Sequence, residues 1–284
     1  MVLFSRVTKV SGIAHASCPL FGQPPVALPG AMTMDLPCLR MGSGPPLVLV
    51  HGYLGGSAQW RDLFDALAPG HDVIAPDLPG FGAAAALPGP QTIAGFADAV
   101  VACLDRLGID RFRLLGHSMG GMIVQDIAAR HGARVERLIL YGTGPLGLMP
   151  DRFEPLDVSM ERLAADGVAA TADRICATWF CDGTRAPGYA TVRDIGRQAS
   201  PQAARAALSA MRDWDGRAAL SDLRMPCRII WGDRDRSYLW PQVAALWQGI
   251  AGAELGVVPD ASHAAHLEKP DIFDAMLRDF LRET

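Results

Sequence analysis

Short apolar runs recur along the chain and are separated by segments of a different periodicity. They lie at residues 47–50, 72–75, 112–115, 138–141, 227–231 and 255–258. These runs do not alternate between apolar and polar positions, which is typical of strands in a parallel sheet covered on both faces. We therefore expect them to form the buried strands of one sheet.

The segments between these runs carry helical periodicity. After Ser57, a candidate N-cap, the apolar residues follow the i, i+3, i+4, i+7 spacing of one helix face: Trp60, Leu63, Phe64 and Leu67. Thr92 is placed to begin a second helix and Gly108 to end it, while Pro241 and Pro270 occupy positions typical of a first helical turn. Alternating strands and helices predict an α/β fold with a doubly wound, mostly parallel sheet.

The alternation is interrupted once, over residues 146–222, where helical periodicity continues without a convincing strand. An insertion after the middle strands lies at the carboxyl edge of the sheet, where α/β proteins bind ligands, so we expect a helical lid. The core then comprises residues 34–145 and 223–284. Residues 1–33 are an N-terminal extension whose structure the sequence leaves open.

Composition narrows the class of protein. Half of the 284 residues are hydrophobic, a fifth are charged and the net charge is −4. This supports a sizeable core and gives no electrostatic reason to expect a nucleic-acid partner. No run of about 18 apolar residues predicts a membrane span. Arg6 and Lys9 interrupt the apolar stretch that an export signal would need, and the six cysteines form no CxxC pair, so we expect a cytoplasmic protein with reduced thiols.

A nucleophile motif follows the strand predicted at residues 112–115. The sequence Gly116-His117-Ser118-Met119-Gly120 is a G-x-S-x-G pattern that leads directly into an apolar helical stripe. In this strand–turn–helix setting, the serine lies on a sharp turn with its hydroxyl exposed above the sheet. Ser118 is the candidate nucleophile.

A serine nucleophile needs a base, and the base needs an acid that orients it. Two later strands end in suitable residues: Asp235 follows one strand, and His263 follows the last. Asp233 and His266 are the alternatives. We favour Asp235 because it lies farther past the strand end, and His263 because it comes first after its strand.

Attack by a serine creates an oxyanion that backbone N–H groups stabilise. The amide of Met119, next after the nucleophile, is one candidate donor. The second is expected from the glycine-rich loop after the strand at residues 47–50, where we assign the Tyr53 amide.

Several motifs together resemble the α/β-hydrolase superfamily, most closely its bacterial esterase, enol-lactonase and C–C hydrolase branch. They are His51-Gly52, the segment 77–82 (DLPGFG), the segment 116–121 (GHSMGG), the segment 232–235 (GDRD), and His263 followed by the segment 266–270 (HLEKP). The resemblance implies a triad of Ser118, Asp235 and His263, and an oxyanion hole of the Tyr53 and Met119 amides. It also implies cleavage of a small-molecule carboxylic ester or lactone. The sequence contains no glycine-rich dinucleotide fingerprint and no metal-ligand cluster, so we expect no cofactor and no metal.

This chain departs from the family pattern in two places. Alanines occupy residues 83–86, where the family usually has a serine that braces the loop, and Ser262 replaces a common glycine. The altered loop motivates an alternative, a non-catalytic small-molecule binding protein on the same fold. The other alternative is a C–C hydrolase of a diketone, which the bulky Tyr53 and Leu54 disfavour.

Specificity is expected to reside in the lid. Trp179 and Phe180 are candidate pocket walls, although packing between lid helices is the more ordinary role for such residues. A series of lid arginines could bind a substrate carboxylate or simply face solvent: Arg174, Arg185, Arg193 and Arg197.

Overall fold

The computed structural model describes residues 35–282, which form a seven-stranded sheet flanked by helices. The strands are β1 (Cys38–Met41), β2 (Pro46–Val50), β3 (Asp72–Pro76), β4 (Phe112–His117), β5 (Val135–Tyr141), β6 (Cys227–Gly232) and β7 (Glu254–Val258). Their order across the sheet is β1-β3-β2-β4-β5-β6-β7. The N-terminal extension and the export signal considered for it lie outside the described residues.

All six strands predicted from apolar runs are present and pair in parallel. The strand that the pattern missed is β1, which pairs antiparallel with β3 at the edge of the sheet. Three of its four residues are exposed, so it lacks the apolar run that marks the central strands. Arg40 on β1 holds Asp72 on β3 through two hydrogen bonds of 2.9 and 2.6 Å.

The described part of the chain contains nine α-helices. They are α1 (Arg61–Leu67), α2 (Ile93–Arg106), α3 (Met119–Arg130), α4 (Leu156–Ala177), α5 (Tyr189–Gly196), α6 (Pro201–Arg212), α7 (Trp240–Gly249), α8 (Ala265–Glu268) and α9 (Pro270–Leu281). The apolar faces of α1 and α9 bury one side of the sheet, and those of α2, α3 and α7 bury the other. This two-sided cover is what makes the central strands apolar throughout.

The predicted helix boundaries are mostly confirmed. The Thr92 hydroxyl accepts a hydrogen bond of 3.0 Å from the Gly95 amide, and Gly108 adopts a φ of +70° just past the end of α2. Ser57 is not an N-cap. A 3-10 turn, Ser57–Trp60, precedes α1, and the Ser57 hydroxyl instead bonds the Asp77 carboxylate at 3.0 Å.

The segment between β5 and β6 folds into α4, α5 and α6, and contains no strand in the described residues beyond one isolated bridge, Leu146 to Asp215. Helix α4 is interrupted at Gly167, whose φ of 77° and ψ of 175° are not helical. Its inward residues, including Leu163 and Ile175, belong to the core on the α3 side of the sheet. None of the described helices is long and apolar enough to cross a membrane.

Candidate active site

Ser118 occupies a strained turn between β4 and α3. Its φ of 57° and ψ of −121° are unusual for a non-glycine residue, and such strain persists only where surrounding contacts enforce it. The Ser118 amide donates to the Tyr141 carbonyl at 3.0 Å, and the Ser118 carbonyl accepts from the Thr143 hydroxyl at 2.8 Å. Both partners belong to β5 or follow it directly, so the neighbouring strand fixes the turn.

The glycines beside Ser118 are required by close approach of the backbone. A Cβ on Gly116 would lie 2.3 Å from the Gly120 carbonyl oxygen, and one on Gly120 would lie 2.3 Å from the Val50 carbonyl oxygen. On the facing loop, a Cβ on Gly52 would lie 2.8 Å from that of Ser118. No side chain fits these contacts, and so α3 packs tightly against the ends of β2 and β4.

His263 and Asp235 form a buried pair at the ends of β7 and β6. The Nδ1 atom of His263 lies 2.8 Å from Oδ2 of Asp235. The other carboxylate oxygen accepts from the amides of Ser237 at 2.7 Å and Tyr238 at 3.2 Å, which fixes the carboxylate. Asp233, the alternative acid, is exposed and lies near Arg234, so the structure pairs Asp235 with the histidine.

The alternative histidine has a different set of contacts. Nδ1 of His266 lies 2.9 Å from the Tyr141 hydroxyl, and its amide donates to the same oxygen at 3.1 Å. Complete burial lowers the pKa of His266 to about 3, so its ring is neutral at physiological pH. His263, and not His266, lines the same cavity as Ser118. Between residues 35 and 282 the structure records no hydrogen bond from the Ser118 hydroxyl to His263, a contact that is often long before substrate binds.

His117 was not assigned a role from sequence, yet it bonds the backbone of the candidate base. Its Nε2 lies 3.0 Å from the His263 carbonyl oxygen, and its Nδ1 lies 3.4 Å from the Gln59 amide nitrogen. The Tyr141 hydroxyl donates to the same carbonyl at 2.9 Å. Burial lowers the pKa of His117 well below its usual range, and neighbouring His263 lowers it further, so this histidine is neutral. No sequence signal marks the contact, because its partners are far apart in the chain.

The loop that carries Tyr53 is held by His51. Nε2 of His51 accepts from the Leu78 amide at 2.9 Å, and its Nδ1 lies 2.9 Å from the Gly52 carbonyl oxygen. Leu54 takes a φ of 56° at the tip of the turn. Met119 is the first residue of α3, where an amide has no partner within its own helix. The two assigned oxyanion donors thus belong to the start of α3 and to the loop whose Gly52 faces Ser118.

The loop with the alanine run is braced by Asp77, the first residue of the segment 77–82. The Asp77 carboxylate accepts from the Ala83 amide at 3.2 Å and from the Ser57 amide at 2.7 Å. Backbone bonds from Ala84 to Phe81 and from Gly80 to Ala84, both 2.9 Å, close the turn. These bonds support the loop although it lacks the serine that the family usually has.

Ser118 opens onto a small cavity of about 20 Å³ beneath α4 and α6. Its lining combines the candidate catalytic side chains with residues of the helical segment: Tyr53, Ser118, Met149, Arg152, Phe153, Ile175, Trp179, Met211, Ser237 and His263. Trp179 lies edge-on to His263, with ring centroids 5.8 Å apart. Phe180 does not line this cavity. The Phe180 side chain packs toward Gly188 instead.

The four arginines of residues 146–222 considered from sequence all contact carboxylates. Arg174 bonds both oxygens of Glu154 at 2.8 Å. The remaining pairs are Arg185 with Asp182, Arg193 with Asp194, and Arg197 with Asp173. None of the four lines the cavity at Ser118. Within the described part of the chain, no group of three or more His, Cys, Asp or Glu side chains is arranged to hold a metal ion.

Comparison with known proteins agrees with this fold. Residues 45–270 match the model of the alpha/beta hydrolase fold family. The chain therefore belongs to that family, and its relatives and fold neighbours are hydrolases, so it is an enzyme of the hydrolase class.

Three similar proteins define the branch. The chain is 31% identical to the pimeloyl-[acyl-carrier protein] methyl ester esterase of Aromatoleum aromaticum, over 84% of this chain and 98% of that protein. It is 29% identical to the 2-hydroxy-6-oxo-6-phenylhexa-2,4-dienoate hydrolase of Comamonas testosteroni, over 85% of this chain and 89% of that protein. The crystal structure of the enol-lactonase from Burkholderia xenovorans LB400 superposes with a TM-score of 0.80 at 28% identity, covering 87% of this chain and 96% of that chain. The resemblance to the esterase, lactonase and C–C hydrolase branch is thus confirmed.

Proposed function

We propose that this protein is a serine hydrolase that cleaves a carboxylic ester or lactone through an acyl-enzyme on Ser118. The observation that carries the proposal is the placement of Ser118 and His263 on one cavity, with His263 paired to buried Asp235 at 2.8 Å. The strained turn at Ser118 presents its hydroxyl at the N-terminus of α3, where negative charge is favoured.

In the first half-reaction, Nε2 of His263 takes the Ser118 proton as the hydroxyl oxygen attacks the acyl carbon. The carbonyl oxygen becomes an oxyanion that the Tyr53 and Met119 amides stabilise. The bond to the alcohol then breaks, and His263 gives its proton to the departing oxygen. Asp235 holds the imidazole with Nδ1 protonated and stabilises its transient positive charge.

In the second half-reaction, His263 removes a proton from water as the water oxygen attacks the acyl-enzyme. Collapse of the new oxyanion breaks the bond to Ser118, which recovers the proton from His263, and the acid is released. Every proton is carried by one histidine, and no cofactor takes part in these steps.

Helices α4 to α6 are proposed to act as a lid. A cavity of about 20 Å³ has room for roughly one water molecule, far less than an ester substrate occupies. We therefore expect the helical segment to move when substrate enters. The kink at Gly167 divides α4 and offers a place for such movement.

The test is hydrolysis of p-nitrophenyl esters from acetate to palmitate by the wild type and by Ser118→Ala. We expect Ser118→Ala to lose about 10⁴-fold or more in kcat while keeping its unfolding transition. A fluorophosphonate should label wild-type Ser118 stoichiometrically. Wild-type rates from Ser118→Ala, or failure of the probe to label an otherwise folded protein, would refute the proposal and favour a binding protein.

C–C hydrolysis is the second candidate, since the Comamonas relative is named for a dienoate substrate. The same serine and histidine would act on a ketone in place of an ester. Loss of the conjugated dienolate absorbance on mixing, combined with no ester hydrolysis, would favour this candidate over the first.

A further inference from the structure

Arg152 lines the cavity at Ser118 without a carboxylate partner. It lies between β5 and α4, and shares the cavity lining with Ser118 and His263. Its Nη1 donates to the Ser159 hydroxyl at 3.3 Å, and its guanidinium carbon lies 4.4 Å from the centre of the Phe153 ring. Its buried Nε has no hydrogen-bond partner among residues 35–282, and no carboxylate of those residues forms an ion pair with it.

The nearest acid is already engaged by other arginines. Buried Glu154 accepts from Arg174 at 2.8 Å and ion-pairs with Arg162 at 3.0 Å. The Ser159 hydroxyl also donates to it at 2.5 Å. Glu154 thus pairs with two guanidinium groups of a cluster of three and is linked to the third, that of Arg152, only through the Ser159 hydroxyl, so Arg152 has no carboxylate of its own among residues 35–282. Arg152 is the member of the cluster that faces the cavity.

An unpartnered hydroxyl lies beside this arginine. The Tyr53 hydroxyl is buried and has no hydrogen-bond partner in the part of the chain that the structure describes. Burial raises the pKa of this phenol, and the positive charge of Arg152 opposes that rise. The phenol keeps its proton at physiological pH and can donate. Tyr53 also lines the cavity, together with Arg152.

Buried polar groups in proteins are nearly always hydrogen-bonded, so unpaired donors around one cavity indicate where the acceptors of a ligand belong. The arginine side chain has only hydrogen-bond donors, whereas the two oxygens of an ionised carboxylate are only acceptors, so the two groups are complementary. A neutral ester would leave the charge of Arg152 uncompensated.

We propose that the substrate of this enzyme carries a carboxylate in addition to its scissile ester or lactone bond, and that Arg152 and the Tyr53 hydroxyl bind it. This inference rests on the proposed function and narrows its substrate class. The carboxylate belongs either to the acyl part, as in a half-ester of a dicarboxylic acid, or to the alcohol part.

Two matched pairs of substrates distinguish these sources. Methyl hydrogen adipate against methyl hexanoate tests an acyl carboxylate, and 4-carboxyphenyl hexanoate against 4-methylphenyl hexanoate tests a carboxylate on the leaving group. The measured quantity is the ratio of kcat/KM for the anionic and the neutral member, taken within each enzyme variant. Each variant then supplies its own baseline.

We expect Arg152→Met to lower this ratio by about 10- to 100-fold in one of the two pairs, the loss typical of a charge-assisted hydrogen bond. Arg152→Lys should keep part of the preference. Arg185→Met is the matched control, because it removes an exposed lid arginine outside the cavity, and its ratio should equal that of the wild type. Thermal unfolding of each variant shows whether it is folded.

An unchanged ratio in both pairs for folded Arg152→Met and Arg152→Lys would overturn the carboxylate proposal while leaving Ser118-dependent ester hydrolysis intact. A second readout uses wild-type protein alone: adipate or 4-hydroxybenzoate, whichever matches the preferred pair, should inhibit neutral-ester hydrolysis more strongly than its uncharged counterpart, hexanamide or 4-methylphenol, and equal inhibition would count against the proposal. Absence of any Ser118-dependent hydrolysis would instead refute the proposed function itself.

Discussion

The Nε2 atom of His117 lies 3.0 Å from the carbonyl oxygen of His263, although 146 residues separate the two histidines. His117 directly precedes Ser118 at the end of β4, so this bond joins the strand that carries the candidate nucleophile to the loop that carries the candidate base. Because the Tyr141 hydroxyl donates to the same oxygen at 2.9 Å, two strands hold the backbone of His263.

Removing both donors to the His263 carbonyl should misplace the base. We expect Tyr141→Phe and His117→Leu each to lower the free energy of unfolding by about 1 kcal/mol and to reduce kcat/KM about 10-fold. The double variant should lose more activity than the sum of the two effects, because the carbonyl is then left without either donor. Ester kinetics and urea unfolding of the four proteins measure this coupling. Strict additivity in kcat/KM would contradict a shared positioning role.

Asp235→Asn should reduce kcat by about 10⁴-fold while the fold is kept. The amide that replaces the carboxylate can present a donor to Nδ1 of His263, which favours the wrong imidazole tautomer. Asp233→Asn is the matched control, since Asp233 is only two residues away in the chain but is exposed to solvent. We expect kcat of this variant to change by less than about twofold. Comparable losses in the two variants would mean that the acid has been assigned wrongly.

Gly52→Ala should damage both stability and activity. The added Cβ would lie 2.8 Å from Cβ of Ser118 and 2.9 Å from the His117 carbonyl oxygen, neither of which can move freely. We expect a loss of about 1–3 kcal/mol in the free energy of unfolding and about 100-fold in kcat/KM. Gly70→Ala provides the comparison, because a Cβ there meets nothing within 4 Å. Equal tolerance of both alanines would show that the turn at Ser118 is more yielding than its contacts indicate.

Stability should decline as the pH falls below about 6.5. Burial lowers the pKa of His51, His117 and His266, the last to about 3. The unfolded chain binds protons at these histidines near pH 6.5, whereas the folded protein does not, so acid favours unfolding by up to about 1.4 kcal/mol per pH unit for each histidine. For His266 this loss of stability accumulates as the pH falls from about 6.5 to about 3. Above pH 6.5 the ring is neutral in both the folded and the unfolded chain, so it causes no loss.

Urea unfolding at pH 7.5, 6.5, 5.5 and 4.5 measures this dependence. His266→Gln should flatten the slope by the share of one proton, because the residue no longer titrates. A slope in this variant as steep as that of the wild type would contradict the assignment of a neutral, buried His266.

The sequence by itself determined the α/β architecture and the order of the candidate site along it. Apolar runs identified the five inner strands, β2 to β6, because those strands are covered on both faces, and they also identified β7, an edge strand that is apolar but only partly buried. The G-x-S-x-G pattern placed Ser118 at a turn because no Cβ fits at Gly116 or Gly120. The edge strand β1 escaped this reading, since an exposed strand needs no apolar run.

Only the tertiary structure decided which groups meet. It paired Asp235, and not Asp233, with His263, and it placed His263, and not His266, on the cavity at Ser118. It also brought Trp179, but not Phe180, to that cavity. It also placed Arg152 on this cavity, although nothing in the sequence distinguishes Arg152 from the other arginines of residues 146–222. Charge pairing depends on distances between elements remote in the chain, so a pattern along one strand or helix cannot show which arginine lacks a carboxylate.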